Sequence, residues 1–248
     1  MTDAVTHVIQ TDMRARFSVS IVQGKTPKLE VDAPADVLDR ISTRVSGERL
    51  TITSIPGSDA DRETTGKVAV QVTVTLTSKC IFGALFNCVK PIDCILIDAY
   101  PKSNRHHTDL TAVDVMGPGE TSIAGFDLDA LSIDAAGGGK TTFDGKANTL
   151  RVRTAGAGDA VLKSPASFTA ETLEGDILGT GSLDASAFKA ANVNLNMAGT
   201  SDVSVHATKS VTVRGAGTGD LTVAGNPEQR NVHLFGTGKV DWKRMLRA

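Results

Sequence analysis

The sequence predicts an all-β chain that folds as one parallel β-solenoid, with coils of about 20 residues and a β-rich N-terminal cap. The first observation is a repeat. Seven times in the second half, an apolar or small residue is followed by Gly, any residue, and then Gly or Ser. Successive first glycines are 20, 19, 23, 20, 18 and 19 residues apart, and this period is typical of coils that bury their apolar faces by stacking. These glycines are Gly117, Gly137, Gly156, Gly179, Gly199, Gly217 and Gly236.

The second observation is an alternation of apolar and polar positions on both sides of each glycine. Apolar or small residues recur four residues before the glycine, and only Gly175 interrupts that column. They recur again four and six residues after the glycine, with a mostly polar residue between them. This period of two predicts strands that bury one face.

The third observation is the density of glycine, which no helix tolerates. Glycine adopts positive φ without a Cβ clash, so we assign the seven glycines to structural turns. Each coil is then a strand, a glycine corner, a second strand and a return. Six inter-coil steps of ~4.8 Å carry residues 109–248 over about 29 Å, which makes a short solenoid.

Residues 1–76 are predicted to form the N-terminal coils and cap of the same continuous domain. Phe17–Gly24, Lys28–Pro34 and Arg49–Ile55 are predicted strands, and so is the stretch from Lys67 to Leu76, whose valines alternate regularly. Two interpretations of Pro34–Val45 stay open, one short helix or a loop on the core. A cap is needed because a terminal coil otherwise exposes strand edges and core.

The order of these segments resembles one known family. The opening FSVSIVQGKTPKLEVDAP, the stretch ISTRVSGERLTITSI and the serial G-x-G-D phrases are similar to the putative auto-transporter adhesin, head-GIN-domain family. The resemblance covers about Phe17–Trp242. It implies a β-solenoid on secreted or surface-attached bacterial proteins, an adhesive role and an extracellular or surface location. It carries over no functional residue.

The segment 77–108 departs from this family, because it interrupts the passage into the first glycine coil. It contains all the cysteines, and three interpretations stay open for them: small buried side chains, which we favour, one disulfide with a free thiol, or a zinc site with His106 and His107. The cysteines are Cys80, Cys88 and Cys94. Beside them lies an apolar group predicted to cover the solenoid or a second chain. Its members are Ile81, Phe82, Leu85 and Phe86.

Charge and hydropathy exclude several classes of protein. The net charge of −2 gives no basic surface for nucleic acid. The longest apolar stretch, Cys80–Val89, is far below the ~20 residues of a transmembrane helix. The first ten residues lack the basic start and apolar run of a secretory leader, so we expect no signal peptide in this sequence.

No catalytic, metal or cofactor site is predicted. Asp202 and Asp220 lie in the charged column after the glycines, but the period is not the nonapeptide of calcium-binding repeats. The phrase AGGGKTT from Ala136 to Thr142 imitates a phosphate loop, yet it is one of seven structural copies and no helix pattern follows it. The polar column three residues before each glycine is expected to be a solvated face.

Two functions from different classes remain. The first is a non-catalytic surface protein that attaches to protein or a surface polymer, or serves as a building block of an assembly such as a virion or cell envelope, with a homo-oligomer among the options. The second is a carbohydrate-binding or carbohydrate-cleaving β-helix. The aromatic content of only 4% favours the first, because sugar platforms use stacked rings.

Overall fold

The computed structural model describes residues 7–11, 16–24, 26–38, 41–46, 48–54, 69–77 and 110–243. Within them the chain forms sixteen strands and one short helix, so the predicted all-β class is confirmed. The strands of the N-terminal part are β1 (His7–Thr11), β2 (Arg16–Gly24), β3 (Lys28–Asp32), β4 (Ile41–Ser46), β5 (Arg49–Ser54) and β6 (Ala69–Thr77), with the helix α1 (Ala35–Leu38) between β3 and β4. The strands of the repeat are β7 (Ala112–Met116), β8 (Glu120–Gly137), β9 (Lys140–Gly156), β10 (Asp159–Lys163), β11 (Ala170–Gly179), β12 (Leu183–Gly199), β13 (Val203–Gly217), β14 (Leu221–Gly225), β15 (Gln229–Gly236) and β16 (Val240–Lys243).

The repeat stacks as a parallel β-solenoid with two ladders. Segments that follow the glycine corners pair with one another and form face 1, as β13 does with β14. Segments that precede the corners form face 2, as β13 does with β15. Long strands such as β8, β9, β12 and β13 pass from face 1 to face 2 within one element, so the ladders are joined into one hydrogen-bonded sheet.

The register of the ladders follows the sequence columns. Val205 pairs with Val223, and Leu183 pairs with Ala160 on one side and Val203 on the other. The pairing of β10 with β12 contains a bulge between Val161 and Lys163, because β12 has one extra residue there. The longest step, between Gly156 and Gly179, comes from the return loop that joins β10 to β11.

The inward columns form a continuous core. The positions four and six residues after each glycine are buried through Val223, and those four residues before each glycine are buried through Val213. At Gly175, the one gap in that column, an added Cβ would lie 2.6 Å from Leu195 Cδ2, so the neighbouring side chain fills the space. Phe143 and Phe188 pack edge to face at 6.1 Å between ring centroids.

The seven corner glycines all have positive φ, from 119° at Gly117 to 146° at Gly217. They also stack backbone on backbone. A Cβ on Gly137 would lie 2.6 Å from the carbonyl oxygen of Gly117, so a side chain at this corner would push the coils apart. The same carbonyls accept hydrogen bonds from the next coil, as Gly199 O does from Thr218 N–H at 3.0 Å.

The N-terminal strands do not stack in chain order. The coil of β1 and β2 lies between the coil of β5 and β6 and the coil of β7 and β8. The strands β3 and β4 are the outermost, and they pair antiparallel with β6 and β5. This end of the solenoid is therefore closed by two reversed strands and the helix between them.

The interpretations of Pro34–Val45 as one helix or a loop are wrong for Ile41–Val45, which lies in the strand β4. Among the described residues of that segment, Ala35–Leu38 is helical, and β4 begins at Ile41. The apolar residues do have helical spacing, but pairing of Ile41–Ser46 with β5 satisfies a full ladder of backbone groups that a lone helical turn would leave to water.

Candidate functional surface

The glycine corners of successive coils together form one narrow surface, which we call the glycine edge. It consists of three adjacent columns: the residue before each first glycine, the glycine itself, and the residue after it. The first column is Met116, Ala136, Ala155, Leu178, Ala198, Ala216 and Phe235, aligned strand by strand. The third column is Pro118, Gly138, Ala157, Thr180, Thr200, Thr218 and Thr237. None of these positions carries a charge.

Large apolar side chains are exposed along this edge. Met116 is 47% exposed, Leu178 37% and Phe235 77%, and we call these three residues the stripe. The described part of the chain has six exposed large hydrophobic residues, and half of them fall in this single column. The other three lie near the N-terminal end of the solenoid and are Leu29, Leu38 and Val45. Because these three residues share one column, the glycine edge is a candidate contact surface.

The glycine edge is flat between its large side chains. Alanine and glycine occupy most of the positions there, and the parallel register repeats them at ~4.8 Å for about 29 Å. The four threonines form a ladder on one side, in which Thr218 and Thr200 hydroxyls lie 3.2 Å apart. A shallow crevice lined in part by Ala198, Ala216 and Phe235 ends the stripe at the last coil.

The charged column beside the glycine edge makes structural contacts. Asp159 Oδ1 accepts hydrogen bonds from the Ser182 hydroxyl at 2.6 Å and the Ser182 N–H at 3.1 Å. Asp202 Oδ1 accepts from Asp220 N–H at 3.0 Å, and Asp220 Oδ1 from Lys239 N–H at 2.9 Å. These three carboxylates therefore each link one coil to the next. The residues the structure describes contain no cluster of metal-ligating side chains.

Face 2 carries a ladder of paired polar groups. Arg151 lies 3.7 Å from Glu174 and 3.4 Å from Asp176, and Asn196 donates to Asp176 at 2.8 Å. All four side chains lie on the outer surface of a flat sheet, where such pairs contribute little to stability. The outward column of face 1 includes Ser122, Thr142, Ser204 and Thr222.

His206 is a buried histidine. It lies at the return of β13 and is only 5% exposed. Burial lowers the pKa of its imidazole below the ordinary value of 6.5, a hydrogen bond with the Ser186 backbone opposes this, and the charge of Lys189 adds to it. The imidazole of His206 is therefore part of the buried interior.

The predicted contact group in the insertion lies outside the described residues. Ile81, Phe82, Leu85 and Phe86 remain a predicted interface, and the state of Cys80, Cys88 and Cys94 remains a prediction. No helix in the described part of the chain is long and apolar enough to cross a membrane.

Met116, Leu178 and Phe235 were not among the predicted site residues, although the sequence carries a signal for their exposure. The residue before each glycine is three positions after a buried column, so a period of two places it on the outer surface. An apolar residue at Met116, Leu178 or Phe235 is then an exposed one. The pattern was visible as the small or apolar residue that opens each repeat.

A family model described as "Putative auto-transporter adhesin, head GIN domain" matches this chain over residues 10–164 and again over residues 106–227. A comparison with curated proteins found no match.

Solved structures share the fold over nearly the whole chain. A putative adhesin from Bacteroides fragilis NCTC 9343 is similar with a TM-score of 0.72 and 18% identity, covering 97% of this chain and 93% of that one. A putative lipid binding protein from Parabacteroides distasonis ATCC 8503 has a TM-score of 0.61 and 16% identity over 97% and 93%. A putative adhesin from the same strain has a TM-score of 0.59 and 14% identity over 98% and 94%.

Proposed function

Because this chain belongs to the family of putative auto-transporter adhesins with a head GIN domain, we propose that it is a non-catalytic attachment protein whose contact surface is the glycine edge. Family and structural relatives fit a surface or extracellular protein.

The observation that carries the proposal is the alignment of Met116, Leu178 and Phe235 on an uncharged edge. Their exposed apolar area is available without any change in the fold, and each buried Å² of it contributes ~25 cal/mol. The flat alanine and glycine positions between them let a partner approach the backbone closely. We therefore propose a partner with an extended apolar surface, either a protein or a surface polymer.

Attachment is testable on a surface of defined chemistry. Beads that carry the full chain are placed under flow on a methyl-terminated monolayer and on a hydroxyl-terminated one, and the force of detachment is measured. We expect several-fold stronger attachment to the methyl surface. The variant Leu178→Ser with Phe235→Ser removes two of the three large side chains of the stripe, and should lose most of that difference.

The matched control removes the same kind of exposed side chain elsewhere. Leu38 is 44% exposed and Val45 54% exposed, and both lie near the N-terminal end. A Leu38→Ser, Val45→Ser variant should attach as the wild type does. Equal losses in both variants would mean that any exposed apolar side chain promotes attachment, and would overturn the assignment to the glycine edge.

The carbohydrate alternative has its own readout. A cellulose film offers sugar rings in place of methyl groups, and release of soluble sugar reports cleavage. The carbohydrate function would be favoured if the Leu178→Ser, Phe235→Ser variant still attached to cellulose, or if soluble sugar were released. The candidate site would then be the group of Arg151, Glu174 and Asp176 on face 2.

A further inference from the structure

The last coil of the solenoid has a different environment from every coil before it. Among the described residues, β15 pairs only with β13 and β16 only with β14, so the outer edges of both strands present unpaired backbone groups. Such edges are templates for pairing with another strand.

Among the described residues, no further coil covers the core at this end. Val213, Leu221 and Val223 are fully buried, whereas the residues that stack on them, Val232, Val240 and Trp242, are half-exposed. The guanidinium group of Arg230 stacks on the Trp242 ring at 4.5 Å from its centroid, which holds that ring in place. The end therefore offers an apolar row, which Arg230 borders, and two strand edges that no described residue pairs with.

The rest of the molecule shows what covers a coil of this kind. Each inner coil of the repeat is covered by a neighbouring coil through parallel pairing, and the opposite end is closed by antiparallel strands, with β3 on β6 and β4 on β5. The outer strand β3 carries Lys28, Glu30 and Asp32, a charged pattern that discourages further pairing. The outward positions of β15 are Gln229, Asn231, His233 and Phe235, which include no Lys, Arg, Asp or Glu, whereas β16 carries Asp241 and Lys243 on its outward side.

We propose that the C-terminal end binds a second copy of this chain, end to end around a two-fold axis. The two-fold axis is perpendicular to the two sheets. Strand β15 therefore pairs antiparallel with β15 of the second copy, and β16 pairs antiparallel with β16 of the second copy. The two apolar rows then continue each other's core. A contact of this kind is self-complementary and closes after two copies.

The size of the end sets the expected affinity. Eight residues of β15 span roughly 26 Å, and two sheets ~10 Å apart with their outward side chains are roughly 20–25 Å deep. Each copy then buries roughly 500–650 Å², so the pair lies at the lower limit of specific interfaces. We expect a reversible dimer with a dissociation constant in the micromolar range. It would place its two glycine edges on opposite sides.

The test uses charge on outward positions, which leaves the core intact. Asn231 and His233 are exposed on β15, and Asn231→Lys with His233→Lys places four added lysines across the two-fold axis, where like charges oppose pairing. The control is Asn194→Lys with Asn196→Lys, which adds the same charges to the same columns two coils further in.

Sedimentation velocity over a concentration series provides the first readout. The mass of the wild type should rise from 25.9 kDa toward twice that value, the control should follow it, and the Asn231→Lys, His233→Lys variant should stay monomeric with an unchanged unfolding midpoint. A wild type that is monomeric at every concentration overturns the proposal, as does an end variant that dimerises like the wild type.

Hydrogen exchange at low and high concentration provides the second readout. Amides of Gln229–Gly236 should gain protection as the dimer forms, while those of β12 should not change. Dimerisation without added protection in Gln229–Gly236 would place the interface elsewhere and would overturn the proposal.

Discussion

Four alanine substitutions separate the two reasons for glycine at the corners. Gly217 has a φ of +146°, and a Cβ there would collide with the carbonyl oxygen of Gly199, so both backbone strain and contact act against a side chain. Gly125 has a φ of +82° with nothing within 4 Å, which isolates the strain. Gly139 lacks the left-handed φ but would collide with Gly119, which isolates the contact. Gly138 has neither and is the control.

The expected losses in free energy of unfolding follow from these environments. Gly125→Ala should cost ~1 kcal/mol of backbone strain. Gly139→Ala should cost about 2–3 kcal/mol, because relief of the clash weakens the hydrogen bond from Lys140 N–H to Gly119 O. Gly217→Ala combines both effects at about 3–5 kcal/mol, a large part of the 5–15 kcal/mol that stabilises a typical domain. Gly138→Ala should be neutral or stabilise by up to ~1 kcal/mol.

Urea denaturation followed by far-ultraviolet circular dichroism measures this series, with all four variants compared by midpoint. A solenoid need not unfold in one step, so hydrogen exchange of the neighbouring coils should accompany the midpoints. If Gly217→Ala unfolds at the same urea concentration as Gly138→Ala, the corners do not require glycine and the reasoning fails.

Three further predictions concern the core and the corner. The free energy of unfolding should reach its highest value above about pH 6.5 and should decrease as the pH drops below that value, because the unfolded chain binds a proton more readily than the buried His206 does. The variant His206→Asn should show a smaller difference in thermal unfolding between about pH 7.5 and 5.5 than the wild type does. Asp159→Ala should destabilise by ~1 kcal/mol, because both the hydroxyl and the backbone N–H of Ser182 lose their acceptor. Ser182→Ala should destabilise by less, because its backbone N–H keeps the bond to Asp159, and equal midpoints for the two variants would contradict this. Phe188→Ala should cost about 3–5 kcal/mol in chemical denaturation by leaving a cavity beside Phe143, and a loss below ~1 kcal/mol would show that the core refills the space.

The repeat could be predicted because its constraints are local and periodic. A corner between stacked coils needs glycine at a fixed place, and a strand with one buried face needs a period of two. Both signals recur in each coil, so they define the register even where one copy departs, as at Gly175. The predicted columns lie where the ladders place them, with Val205 opposite Val223.

The N-terminal part could not be predicted in the same detail, because its arrangement depends on pairings distant in sequence. Nothing within Ile41–Ser46 distinguishes a helical stripe from a strand, and its pairing with β5 decides the outcome. The insertion of the β1 and β2 coil between later strands likewise leaves no local pattern. Only the ladders of β1 with both β5 and β7 define that order.

The candidate surface was partly predictable. The in-out alternation of a strand places the residue before each glycine on the outer surface. The sequence shows which of these residues are large. The extent of exposure, which reaches 77% at Phe235, depends on the last coil having no neighbour among the described residues. That is a property of the assembled stack and not of the repeat.

Carbene footprinting of the chain while it is attached to methyl-coated beads tests the glycine edge most directly. The label modifies exposed side chains, and mass spectrometry reports each position with and without the surface. The account predicts that Met116, Leu178 and Phe235 lose labelling together on attachment, while Leu38 and Val45 keep theirs. Protection of Leu38 and Val45 with full labelling of the stripe would contradict it.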